Sequence, residues 1–338
     1  MMYIQIRTFL KRYFYQRPLL WMVLELFQGL LFVADYFYYY RLRGHQRRFS
    51  IREINIEFSN KCNLRCKFCS LDHSKEARYM TSDTLKLFLD GFLIHNQMRK
   101  VEVINLHNGG ETLLHPRWEE MLQVIKEAKD LARNNGYHFP KIYLLTNGMP
   151  LTEKTVEKLL AMEVLDVIGI SMDGGTPDLF EKIRVRARWS VFYKQVKNLV
   201  AMNELAPSPV SLYSICCIPS QFQLNTRWMH PEFVEILNLL DRYELRRLHN
   251  WAGEVETIQP REKRHKVGCG LLMRQLVVLP DGKVTVCCND LNSKGVVGNI
   301  RRQSIPDIYQ SPERIHYLAK HLRRKKGDLE LCRNCETF

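Results

Sequence analysis

No low-complexity tract interrupts this chain of 338 residues, and 46% apolar with 25% charged residues excludes a mainly disordered protein. Nor do its 10 cysteines form a disulfide framework. They fall at metal-ligand spacings, in a chain too large to need covalent staples, which points to a reducing cytoplasm. A secretory signal is missing too: the first long apolar stretch starts late, at Leu19, contains acids and lacks a small-residue cleavage site. Acid is the scarce charge. Asp and Glu number 36 against 50 Lys and Arg, leaving a formal net charge of +14. That excess suits an acidic substrate, a membrane surface or an acidic electron donor. The basic residues are dispersed and do not mark a nucleic-acid surface. The run Arg323-Arg324-Lys325-Lys326 is short and reads as a solvated helix end.

The first segment, 1–49, differs from the rest. Residues 1–17 mix Arg and Lys with Tyr, Phe and Ile, and 19–40 are nearly all apolar or aromatic apart from Glu25, Gln28 and Asp35. Glu25, Gln28 and Gly29 share a narrow stripe at helical spacing. Three readings stay open: a helix packed on its own protein, an interfacial helix at a membrane surface or partner, and a true span. The basic flanks Arg7, Lys11, Arg12, Arg17, Arg41, Arg43, Arg47 and Arg48 keep the membrane-surface reading open, in which the protein would be peripheral to the membrane.

From Ser50 onward strand-like runs alternate with amphipathic helical ones. Strands are predicted at 53–58, 101–106, 142–145, 165–170, 211–217 and 245–249, and helices at 82–97, 117–134, 152–162, 191–205 and 229–243. Ser82 and Thr152 are the expected N-caps, and Pro231 suits a first helical turn. Six β–α units in a row predict a parallel sheet with right-handed crossovers, whose chemistry sits at the strand C-terminal ends.

The sharpest motif follows the first strand. Cys62, Cys66 and Cys69 form C-x3-C-x2-C, a spacing that lets one tight loop place three thiolates around a cubic iron–sulfur cluster and leaves one iron without a protein ligand. Gly109-Gly110-Glu111 follows the second strand, Thr146-Asn147-Gly148 the third, and Ser171-Met172-Asp173-Gly174 the fourth. Each fragment alone is ordinary turn chemistry. At four successive strand ends they describe one site.

These residues resemble the radical S-adenosylmethionine (radical SAM) enzymes from about Ile51 to the C-terminus. The resemblance implies an α/β fold, a partial (β/α)6 TIM-like barrel over 50–255, with the N-terminal helical segment before it. It implies a [4Fe–4S] cluster on Cys62, Cys66 and Cys69, with Phe68 before the last cysteine as in the family's loop. The unique iron would chelate S-adenosylmethionine, and reduction would release a 5′-deoxyadenosyl radical that removes hydrogen from a substrate. Glycines at 109 and 110 would let the backbone approach the methionine amino group, with Glu111 holding it. Ser171 and Asp173 would meet the ribose hydroxyls, Arg184 the cofactor carboxylate, and Asn147 would add a contact. Thr112 departs from the family, many of whose members have proline there; this relaxes the turn without removing a ligand. A low-potential donor of flavodoxin or ferredoxin type is the implied partner.

Beyond Glu254 the rhythm changes. Pro280-Asp281-Gly282 marks a hairpin, and cysteines fall at 269, 287, 288, 332 and 335, the last two as C-x2-C. This order, with Gly298-Asn299-Ile300, Ser304-Ile305 and Ile308, resembles the shortened SPASM extension called a twitch domain. The resemblance implies a small α+β domain over 256–338 holding an auxiliary [4Fe–4S] cluster on Cys269, Cys287, Cys332 and Cys335. Cys288 is the alternative to Cys287, and a structural zinc is the alternative to the cluster. Cys216 and Cys217 read as buried small apolar residues.

The expected reaction is hydrogen abstraction followed by oxidation through the auxiliary cluster, on a small alcohol or amino-sugar-like substrate. Alternatives are a peptide-modifying maturase, a redox-neutral rearrangement of a sugar or lipid headgroup, and a metal-binding electron carrier without catalysis. No catalytic acid or base is identified; His107, Tyr213, His249 and Glu254 are the polar groups near strand ends.

Overall fold

The computed structural model describes residues 18–219, 221–248, 250–255 and 267–336. Its elements run α1 (Pro18–Tyr40), β1 (Glu53–Ile56), β2 (Arg65–Cys66), α2 (Ser82–Ile94), β3 (Val103–Leu106), α3 (Trp118–Asn134), β4 (Lys141–Thr146), α4 (Glu153–Ala161) and β5 (Val167–Ser171). Then follow α5 (Pro177–Ile183), β6 (Arg184–Val185), α6 (Trp189–Glu204), β7 (Ser211–Ile218), α7 (Pro231–Leu239) and β8 (Arg242–Arg247). The C-terminal part adds α8 (Gly270–Arg274), β9 (Gln275–Val278), β10 (Lys283–Thr285), β11 (Val296–Asn299), α9 (Ile305–Tyr309) and α10 (Pro312–Leu322).

One sheet carries nine strands in the order β11-β10-β9-β1-β3-β4-β5-β7-β8. From β9 to β8 every pair is parallel, while β10 and β11 are antiparallel. Alternation sorts the side chains. Ile54, Ile56, Ile104, Leu106, Ile142, Leu144, Ile168, Ile170, Leu212 and Ile218 are buried on one face. The registered partners Glu53, Asn55, Asn105, Tyr143, Tyr213 and Arg242 occupy the other. Glu53 on β1 still acts electrostatically on Tyr213 of β7, four strands away. A flat sheet would separate them by about 19 Å, so the sheet curls into a partial barrel with a polar interior.

Local chemistry fixes the helix starts. Thr81, not Ser82, caps α2: its hydroxyl accepts from the Thr84 amide at 3.2 Å, and Ser82 is already helical. Thr152 caps α4 as expected, accepting from Thr155, and Pro231 sits in the first turn of α7 behind the cap His230. Three predicted boundaries move by three residues or more. Helix α2 ends at Ile94 because His95 is extended. Helix α7 ends at Leu239, and β8 begins at Arg242, where it pairs with Tyr213. The short helix α5, capped by Thr176 and opened by Pro177, was not expected. The predicted strand end His249 lies outside the described residues.

The cysteine-bearing end is not set apart in the sheet. Strand β9 pairs with β1 along four residues, and the hairpin turns at Gly282 with φ +82°. Helix α1 closes against this end. Phe32, Tyr36 and Tyr40 are buried, Asp35 pairs with Arg274 at 2.8 Å, and Phe32 lies against Gly268. The fully buried Arg314 joins the two parts, donating to the Tyr40 hydroxyl and to the carbonyls of Tyr309, Leu272 and Met273. The reading of α1 as a helix packed on its own protein therefore holds for one face. No described helix is long and apolar enough to cross a membrane.

Candidate functional site

The cysteine loop leaves β1 and is anchored from three sides. Cys66 lies in β2, which pairs antiparallel with β6 so that Cys66 is opposite Arg184, and the Lys67 amide donates to Ile183. The Cys69 amide closes a turn on the Cys66 carbonyl at 3.1 Å. Burial pushes the thiols of Cys62 and Cys69 up, and that of Cys66 up to about 12. Phe68 is half-buried beside them.

The second strand end packs on the stem of that loop. A Cβ on Gly110 would stand 1.9 Å from the Ser59 carbonyl oxygen and 2.7 Å from that of Lys61, so only glycine fits. The Glu111 amide donates to Lys61 at 2.7 Å. The Glu111 carboxylate, buried and with its pKa raised by that burial, accepts from the amides of Asn147 (2.8 Å) and Leu113 (3.3 Å). It thereby joins the ends of β3 and β4. Thr112 opens a short 3₁₀ turn, and its hydroxyl returns a hydrogen bond to Leu106.

Asn147 continues the chain of contacts, donating to Asn63 at 2.7 Å and to the Cys62 sulfur at 3.8 Å. At the end of β5 the buried Asp173 accepts from the Cys217 amide at 2.7 Å and pairs with the buried Arg184. The Nε of Arg184 is buried without a partner. Ser171 is half-buried at the same strand end. The structure thus links Cys62, Asn147 and Glu111 in one chain of contacts, and Cys66, Arg184 and Asp173 in another. Sequence reasoning missed two. Glu57, two residues past Asn55 on the polar face, accepts from the Gly109 amide (2.8 Å) and Asn108 (3.1 Å), and burial pushes its pKa up to about 7. Asn63 stood inside the cysteine motif as an unremarked spacer.

A second sulfur site is separate. Cys269, Cys287, Cys332 and Cys335 line one cavity with Leu272 and His321, and Cys288 does not line it. The Asn289 amide donates to the Cys287 sulfur at 3.4 Å, and the Cys335 amide closes a turn on Cys332. Among the described residues no three such side chains converge closely enough to chelate a single ion. Thiolates at the corners of a cube stand further apart than those around one zinc. Lys326 departs from the solvated-end reading of its run: it is half-buried and donates to the Cys335 carbonyl at 2.6 Å. Cys216 is buried as expected. Cys217 is half-buried on the polar face, opposite Arg246.

The barrel interior reaches the second site through Gln275. Its amide nitrogen donates to Glu53 (2.7 Å), its oxygen accepts from the Cys288 amide (3.1 Å), and Asn105 donates to the same Glu53 oxygen at 2.6 Å. His107 and Tyr213 face this interior, with Arg242 over the Tyr213 ring. His107 carries a buried Nδ1 without a partner, and burial pushes its pKa down to about 4. Glu254 lies apart, bonded to Asn292 and Lys294.

Comparison with known proteins agrees with this layout. The radical SAM superfamily model matches residues 56–211, and the SPASM iron–sulfur cluster-binding domain model matches 269–336. The antilisterial bacteriocin subtilosin biosynthesis protein AlbA of Bacillus subtilis is 24% identical over 76% of this chain, which spans only 59% of that relative. The S-adenosyl-L-methionine-dependent 2-deoxy-scyllo-inosamine dehydrogenase of Niallia circulans is 24% identical over 84% of this chain and 92% of its own length. The crystal structure of BtrN in complex with AdoMet and 2-DOIA superposes with a TM-score of 0.54, 18% identity, and coverage of 85% of this chain and 93% of that one. At that identity the likeness shows the fold. The two domains imply a SAM-binding [4Fe–4S] cluster, S-adenosylmethionine and auxiliary iron–sulfur, and the donor sets fit: three thiols on one anchored loop, and four around one cavity. The chain carries a radical SAM domain followed by a SPASM iron–sulfur cluster-binding domain.

Proposed function

We propose that this enzyme removes hydrogen from a small, polar, hydroxyl- or amine-bearing substrate and completes a two-electron oxidation through the auxiliary cluster. Cys62, Cys66 and Cys69 hold the first cluster, which when loaded with S-adenosylmethionine supplies the 5′-deoxyadenosyl radical. Gly109 and Gly110 keep the floor of that site free of side chains, and Glu111 fixes the loops that face the methionine amino group. Arg184 offers its unpartnered Nε to the cofactor carboxylate. Ser171 and Asp173 are assigned to the ribose hydroxyls, and Asn147, beside Cys62, to a further cofactor contact. Cys269, Cys287, Cys332 and Cys335 hold the auxiliary cluster.

The observation that carries the oxidative reading is the Gln275 bridge. One side chain touches both the polar interior, through Glu53, and the backbone of the auxiliary cysteine loop, through Cys288. The interior presents Glu53, Asn55, Asn105, Tyr143, Tyr213 and Arg242 among its apolar residues, which suits hydroxyls and amines better than an apolar peptide side chain. Anaerobic reconstitution tests the reading. About eight irons per chain, 5′-deoxyadenosine on reduction, and a product lighter by two hydrogens are expected. A product of unchanged mass would replace oxidation by rearrangement. The relative named for subtilosin biosynthesis keeps peptide maturation as a second reading, and turnover of a precursor peptide in place of a small substrate would select it. A flavodoxin- or ferredoxin-type donor supplies the electrons.

The outer face of α1 suits an anionic membrane surface. Val23, Leu26, Phe27, Leu30, Phe37 and Tyr38 stand exposed at helical spacing, opposite the docked Phe32, Tyr36 and Tyr40. Charge selects the occupant: residues 1–50 hold eight Lys and Arg against two acids, and one of those acids, Asp35, is paired with Arg274.

A further inference from the structure

One side chain on the wall of the auxiliary cavity is left without a role by the reading above. His321 lies in the last turn of α10, 5% exposed, facing the cavity that the four cysteines line. Neither of its ring nitrogens makes a hydrogen bond of good geometry, and the Gly268 backbone, near enough to act on the ring, is the competing acceptor. Whatever its tautomer, an imidazole keeps at least one N–H. Burying that donor unpaired costs about 1–3 kcal/mol, whereas a leucine in its place would cost nothing of the kind.

The helix end does not need the ring. The amides of Gly268 and Arg324 both bond the His321 carbonyl, at 3.4 and 3.2 Å, which any residue would supply. Of the other polar side chains on the wall, Lys326 is already committed to the Cys335 carbonyl, and the Asn289 amide oxygen accepts from the Cys288 thiol at 3.9 Å. Leu271, Leu272, Val286 and Leu331 complete an apolar wall. Sulfur is the acceptor that this cavity offers in quantity.

We propose that His321 donates a hydrogen bond to sulfur of the auxiliary iron–sulfur site, a ligand thiolate or the cluster itself, and thereby sets its reduction potential. The proposal rests on the assignment of Cys269, Cys287, Cys332 and Cys335 as cluster ligands. Adding an electron makes the cluster more negative, so a donor aimed at its sulfur stabilises the reduced form and raises the potential. A cluster that must accept an electron from a substrate radical gains from such a neighbour.

The test uses the full chain with Cys62, Cys66 and Cys69 changed to alanine, so that only the auxiliary cluster is observed. Iron and sulfide are counted, and the midpoint is followed by EPR-monitored titration for His321, His321→Leu, His321→Phe and His321→Gln. The expected result is about four irons in every protein. The Leu and Phe variants should show about a tenfold lower reduced-to-oxidised ratio at fixed poise, a shift of about 59 mV for one electron. Glutamine, which keeps an N–H, should stay near the His321 value. Unchanged midpoints in Leu and Phe would overturn the proposal. So would loss of iron in all three variants together with directly coordinated nitrogen in the His321 protein, which would make the ring a ligand. If the His321 protein itself takes up no iron, the ligand assignment fails first.

Discussion

Gly110 shows how narrowly the cofactor site is built at the scale of single residues. Its Cα faces two carbonyl oxygens of the cysteine-loop stem, backbone that cannot swing aside. Gly110→Ala should therefore lower iron uptake at the first cluster and cut 5′-deoxyadenosine formation by about tenfold or more, while Gly327→Ala, in open space, should leave both unchanged. Glu57 supplies a prediction with a sign. Burial raises its pKa from 4.5 to about 7, so the folded state holds a proton that the unfolded chain releases. Stability from this group is present below about pH 4.5 and is lost as pH rises through 7, by up to about 3 kcal/mol. Glu57→Gln should match the wild type near pH 4.5 and melt higher at pH 8. A melting-temperature profile in which the two proteins run parallel would contradict the assignment.

At the scale of elements, the docking of α1 depends on Arg314. Its guanidinium satisfies carbonyls of α8 and the last carbonyl of α9 while touching Tyr40. Arg314→Ala leaves those buried acceptors unpaired and should destabilise the fold by about 3 kcal/mol. Limited proteolysis should then cut within α1, which the wild type protects. The opposite face of the same helix gives a different outcome. Leu26→Glu with Leu30→Glu alters two exposed positions, so melting should not change. Sedimentation with vesicles containing about one-third anionic lipid should fall roughly tenfold, and binding by the unaltered chain should weaken as salt rises. If that chain ignores such vesicles, or if the double variant instead breaks a dimer, the stripe has another occupant.

Across the whole molecule, β9 is the element that matters most. By pairing with β1 it sets Gln275 next to Glu53, and so brings the auxiliary cysteines within one side chain of the barrel interior. Gln275→Leu removes the side chain's hydrogen bonds to Glu53, Asn55 and Cys288. It should leave 5′-deoxyadenosine formation within about twofold of wild type while lowering oxidised product per 5′-deoxyadenosine several-fold. Equal losses of both would mean that Gln275 serves folding alone.

Much of this was legible from residue order, because it depends on local chemistry. The spacing of Cys62, Cys66 and Cys69, the six parallel strands, the Pro280–Gly282 hairpin and the motifs at four strand ends follow from periodicity and turn residues that act over short distances. Capping was legible only to within a residue, since Thr81 and Ser82 are both good caps and packing chose the first. What tertiary structure decided lies between segments distant in sequence. Helix α1 was an open choice until Phe32 met Gly268, more than two hundred residues away. Glu57 was one more strand residue until the Gly109 amide closed on it. Arg184 and Asp173 meet because β6 pairs with the cysteine loop, and His321 faces sulfur because α10 folds back over a hairpin. Such pairings are set by how the sheet curls and how the two ends of the chain meet, which no local pattern encodes.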